Sequence, residues 1–126
     1  MSSVPSFAEQ LEAILNGYVE EVTEVVKTQV DVTAEEVNSA IKSKAPRRYG
    51  KYIRAFALKT TFENKYGKSK LWHVKPPHYR LTHVLEHGHV NRDGTRTEPI
   101  PHIIYGEQIA LQLKQRIERG IQDIDA

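Results

Sequence analysis

Apolar residues recur at alternating three- and four-residue steps through Phe7, Leu11, Leu15, Tyr18, Val22 and Val25, with glutamates between them. That spacing places the apolar side chains on one face of an amphipathic helix. The stripe continues less regularly through Val30, Val37 and Ile41, with Pro5 and Ser6 marking the start of the helix and Pro46 its end. Thr33 and Glu36 stand at capping-box spacing that could restart a second helix, which leaves room for a kink near Asp31. The expectation is one long helix over about 6–43. If continuous it would reach about 55 Å at 1.5 Å per residue, more than a compact domain of this size can cover, so part of it should find a partner outside its own domain.

The pattern then changes. Between Tyr52 and Phe62 the β-branched and aromatic residues Ile53, Phe56, Leu58, Thr60 and Phe62 mostly alternate with exposed types, which predicts a strand. Asn64 and Gly67 supply turn chemistry, and Leu71, Trp72 and Val74 supply a return strand stopped by Pro76 and Pro77, so a β-hairpin is expected over about 51–75. A short helix over about 79–87 would turn Leu81, Val84 and Leu85 inward, with Gly88 where a left-handed C-cap is wanted. Residues 91–101, with Asp93-Gly94 and two prolines, read as a loop or second tight turn. Ile103, Ala110, Leu113, Ile117, Ile121 and Ile124 repeat at helical spacing, which predicts a C-terminal amphipathic helix over about 104–122, with Leu113 and Ile117 joining Leu81 and Leu85 in the core. The fold class is α+β, a single domain in which helices cover one face of a small antiparallel sheet and leave the other free.

At 126 residues, 39% of them hydrophobic and none cysteine, the chain can build a core without disulfides or thiolate metal sites. No apolar run approaches the length of a membrane span, and the N-terminus lacks a secretory pattern, so a cytosolic start and no membrane partner are expected. The net charge of +2 hides a strong segregation. Residues 1–41 carry one Lys against eight acids, residues 42–80 twelve Lys or Arg against one acid, and residues 81–126 five against seven. Either these elements face each other within one chain, or the basic segment has an acidic partner, or the chain associates head to tail with copies of itself.

Two clusters could carry chemistry. His83, Glu86 and His87 satisfy a His-x-x-Glu-His pattern, in which two imidazoles one helical turn apart could hold Zn²⁺ while the glutamate polarises a water. A small zinc-dependent hydrolase is therefore one alternative. Against it, the later carboxylates all lie within 39 residues, on a loop and a terminal helix. Lys42, Lys44, Arg47, Arg48, Lys51 and Arg54, interleaved with Tyr49 and Tyr52, suit phosphate and stacked bases, so a basic nucleic-acid-binding module is the other alternative. No recognised nucleic-acid motif accompanies them, and neither a glycine-rich phosphate loop nor a Gly-x-Ser-x-Gly elbow is present.

Three segments taken in order suggest a different class. They are residues 45–52 (Ala-Pro-Arg-Arg-Tyr-Gly-Lys-Tyr), residues 78–89 (His-Tyr-Arg-Leu-Thr-His-Val-Leu-Glu-His-Gly-His) and residues 100–103 (Ile-Pro-His-Ile). Together they resemble the small neck or tail-completion proteins of long-tailed bacteriophages and prophages, which join the filled head to the tail. The resemblance runs through nearly the whole chain, with Tyr49 standing where Thr is usual. Members of that family often carry another residue at the position of His87, which weakens the zinc reading. The resemblance implies a virion protein without catalysis or cofactor, made in the host cytoplasm and assembled as a ring, sixfold like the tail. Its partners would be its own copies, the neighbouring connector, the tail terminator or tail tube, and the DNA passing through the lumen. Arg47, Arg48, Lys51 and Arg54 are then candidates for subunit or DNA contact, and Glu86 and His89 for structural or inter-subunit hydrogen bonds. A ring needs a heterologous interface, and the acidic and basic segments offer one.

Overall fold

The computed structural model describes residues 6–124 and has the α+β architecture expected from the sequence. In chain order the elements are α1 (Phe7–Lys44), α2 (Gly50–Arg54), β1 (Phe56–Glu63), β2 (Lys68–Val74), α3 (Arg80–His87), α4 (Ile103–Ala110) and α5 (Leu113–Ile124). Helix α1 is a single uninterrupted helix of 38 residues. Its first turn is closed by a reciprocal capping box, in which Ser6 Oγ accepts from the Glu9 amide and Glu9 returns to the Ser6 amide. Pro5, the other expected start signal, lies outside the described residues. The second capping box does not operate: Thr33 and Glu36 sit mid-helix and both hold Arg116 of α5, at 3.2 Å and 2.6 Å.

Strands β1 and β2 form a two-stranded antiparallel hairpin with one irregularity between Thr60 and Phe62. Asn64 Oδ1 accepts from the amides of Tyr66 and Gly67, both at 2.9 Å, and so builds the turn that the sequence signals. The hairpin lies along α1, where Trp72 Nε1 donates to Asn38 Oδ1 at 3.1 Å and Asp31 pairs with both Lys68 and Lys70. Helices α4 and α5 pack on α1 as well. Close approach explains Gly106 of α4, since a Cβ there would stand 2.5 Å from Cδ1 of buried Ile41.

Two elements differ in extent from the sequence pattern. The strand predicted from Tyr52 begins only at Phe56, because residues 50–54 form α2, which turns Tyr52 into the core. The single C-terminal helix is two helices, broken at Leu111 and Gln112, and Leu111 is 82% exposed. The core itself is Ile41, Ala45, Tyr52, Ala55, Phe56, Val74 and Leu85, with Leu81 packed against it. Leu113 and Ile117 lie half-buried on α5, outside that cluster.

Cover along α1 is uneven. All its residues up to Glu21 are exposed, including Phe7 (80%) and Ile14 (69%), whereas Val30, Thr33 and Ile41 are buried. Val19 and Glu20 line a groove with Lys65 and Tyr66 of the hairpin turn, and Glu21 one with Gly120 and Ile124 of α5, so the part that extends past the body is Phe7–Tyr18, about 18 Å at 1.5 Å per residue. This division predicts different costs for one substitution made at two places. In dilute protein, Ile41→Ala should lower unfolding stability by about 2–5 kcal/mol, while Ile14→Ala should change it by no more than about 0.5. Urea midpoints measure both, and equal losses would contradict the division.

Candidate functional site

The three sequence segments singled out above converge on one buried polar network. Glu86, on the inner side of α3, reaches across to the start of α4, where its carboxylate accepts from the amides of His102 (2.8 Å), Ile103 (2.9 Å) and Ile104 (3.3 Å). Helix α4 has no side-chain cap of its own, so Glu86 supplies both the missing acceptor and the negative charge that a helix N-terminus favours. The His102 side chain is fully buried. Its Nδ1 lies 2.9 Å from the Ile100 carbonyl and 3.1 Å from Glu86 Oε1, which requires Nδ1 to carry a proton because a carbonyl only accepts. Its Nε2 meets the Tyr52 hydroxyl at 2.6 Å, and that hydroxyl is 3.1 Å from Thr82 Oγ1. The Tyr52 ring is edge-on to both His102 and Phe56.

These surroundings shift two groups. Burial works to raise the Glu86 carboxyl, but the three backbone amides outweigh it and hold it below its ordinary 4.5. Burial raises the Tyr52 phenol above its ordinary 10, with the Thr82 hydrogen bond acting the other way. The network is thus a ready-made tie between α2, α3 and α4.

It also bears on the zinc pattern. His83 and His87 are exposed neighbours on α3, with ring centroids 4.9 Å apart. Glu86 lines the same groove as the two histidines, but its carboxylate accepts from three amides at the start of α4, so the group that would polarise a metal-bound water is already committed. Among the described residues no group of three or more His, Asp or Glu side chains could hold a metal ion. His89 lies outside the network. Its amide and ring Nδ1 meet Thr97 Oγ1 at 2.8 Å and 3.0 Å, and Thr97 returns its amide to the His89 carbonyl. Next to it, Gly88 has a positive φ of 74° but an extended ψ, not the left-handed C-cap expected.

The basic candidates are on a different surface. Arg47 and Arg48 lie in the turn after α1, and Lys51 and Arg54 on α2, all four exposed. Arg48, Lys51 and Arg54 line one groove together with Tyr49, His78 and Leu81, while Arg47 is not among its lining residues. The Arg48 guanidinium stands 5.0 Å from the Tyr49 ring centroid. None of the four forms an ion pair among the described residues. The intrachain pairing of acidic and basic segments is therefore partial. Asp31 takes Lys68 and Lys70, whose hydrogen bonds lower its carboxyl, and Lys27 takes Glu63.

No helix among the described residues is long and apolar enough to cross a membrane. Compared with protein-family models, curated proteins and solved structures, the chain matches none of them.

The Glu86 cap has a pH signature. Because its folded pKa is depressed, the stability it contributes is present above 4.5 and is lost as pH falls below that value through the folded pKa. Glu86→Gln should lower stability at pH 7 by about 2–3 kcal/mol and should flatten this acid limb relative to the unsubstituted chain. Urea unfolding from pH 7 to pH 3 measures both effects, and parallel profiles would refute the assignment.

Proposed function

We propose that this chain is a non-enzymatic assembly protein of a phage or prophage virion, acting at the head-to-tail junction as a neck or tail-completion ring. The observation that carries the reading is the exposed N-terminal part of α1, where Phe7, Leu11, Ile14, Leu15 and Tyr18 form an apolar face left uncovered among the described residues. An apolar helix face left in water is unfavourable, and contiguous exposed apolar surface of this kind marks a protein interface. The likeness to neck proteins supports the more specific reading, and the segments that carry it include those that tie α2, α3 and α4 together. In this account the body supplies a rigid block and the projecting helix supplies a contact. The partners are further copies of the chain in a ring, sixfold when assembled, the adjoining connector, and the tail terminator or tail tube, with DNA passing through the lumen without sequence recognition.

Deleting the gene from the phage or prophage that encodes it tests this role by electron microscopy of lysates. Filled heads and tails lying unjoined, or tails of abnormal length, are expected. Intact infectious particles in normal numbers would overturn the proposal.

A further inference from the structure

Between Phe7 and Val26 α1 carries five glutamates and no Lys or Arg. Advancing 100° per residue, Phe7, Leu11, Ile14, Leu15 and Tyr18 form one stripe, flanked by Glu12 on one side and Glu21 on the other. Neither flanking glutamate forms an ion pair among the described residues. The groove beside α2 is built with the opposite charge. Half-buried Tyr49 and Leu81 give it apolar surface, and exposed Arg48, Lys51 and Arg54 give it cationic edges that are likewise without ion pairs. Two unsatisfied surfaces on one chain are thus complementary in charge and both partly apolar.

They cannot satisfy each other within one molecule. Glu21 lies 23 residues before the end of a continuous helix, about 35 Å along its axis from the turn that leads into the groove. We infer that the exposed N-terminal part of α1, Phe7–Glu21, docks into the Arg48, Lys51 and Arg54 groove of a second copy, its apolar stripe on Tyr49 and Leu81 and its flanking glutamates against the cationic edges. This rests on the assembly reading and names the partner of the uncovered helix. Because a helix meets a groove, the contact is heterologous, so each copy both gives a helix and receives one, and the arrangement closes as a ring or extends as a filament. The ionic part weakens as salt rises.

Charge reversal on the full chain tests it, read by sedimentation velocity across protein and salt concentrations. Glu12→Lys with Glu21→Lys reverses the helix, and Arg48→Glu with Lys51→Glu reverses the groove. All four positions are exposed, so the fold is expected to survive. Each pair of changes should weaken self-association by about tenfold or more, since each replaces attraction by repulsion across the same contact. Mixing the two variants, or combining all four changes in one chain, should restore association, because helix and groove are again opposite in charge. Either variant associating like the unsubstituted chain, or a mixture that stays dissociated, would overturn the docking. So would an unsubstituted chain that remains monomeric at every concentration, and duplex DNA binding through Arg48 and Lys51 would then assign the groove to nucleic acid. Those results would leave the junction role to be decided by the deletion phenotype.

Discussion

Everything in this fold is organised along a helix longer than the body that packs on it. With 38 residues, α1 spans about 57 Å, and the hairpin, α4 and α5 lie against it, with cover beginning around residues 19–25, where the hairpin turn and Gly120 of α5 approach it. Its buried positions, Val30, Thr33 and Ile41, all belong to the covered part. There α1 serves as the common wall of the core: Ile41 meets α4 at Gly106, Asn38 holds Trp72, and Thr33 and Glu36 hold Arg116. Toward the N-terminus the same amphipathic pattern continues with nothing to cover it. One pattern therefore does two jobs, core formation at one end and presentation of an apolar face at the other.

The short helices depend on a second constraint, the satisfaction of buried polar groups. Helix α4 has eight residues and its N-cap, His102, contributes no side-chain cap, so its first amides would be unpaired without help. Glu86 provides that help from α3, and His102 passes the connection to Tyr52 on α2. A carboxylate half-hidden from water costs desolvation energy and repays it only when its hydrogen bonds are complete. These hydrogen bonds add to the apolar packing of Tyr52, Leu85, Leu81 and Ile103 in the core, so three short elements are joined to one another beside the cationic groove.

Much of this was legible in the sequence. The three- and four-residue spacing from Phe7 to Val25 reported α1, and Asn64 with Gly67 reported the hairpin turn. Helix α2 was hidden because the strand alternation of Phe56, Leu58, Thr60 and Phe62 is preceded closely by the β-type residues Tyr52 and Ile53. The buried set Tyr52, Ala55 and Phe56 follows helical spacing and was the signal that could have revealed it. The break at Leu111 and Gln112 has no glycine or proline from Glu107 to Arg119 to announce it. For the site, the basic residues were visible as a cluster, but which of them share a groove depends on α2. Glu86 was visible as part of a metal-like pattern, and its actual partners lie 16 to 18 residues away, beyond any local rule. Periodicity reports faces and turns report reversals, whereas long-range hydrogen bonds are set only when the chain closes.

Helix α1 has a part that packs on the body and an exposed part, Phe7–Glu21, which we propose is covered on assembly. Amide hydrogen exchange resolved along α1 tests it most directly, because protection reports local opening residue by residue. In dilute protein, amides from residue 30 to residue 44 should exchange slowly and those from residue 10 to residue 20 quickly, with the second group becoming protected as the chain assembles. Uniform protection along the helix in the dilute monomer, or no gain on assembly, would contradict the account.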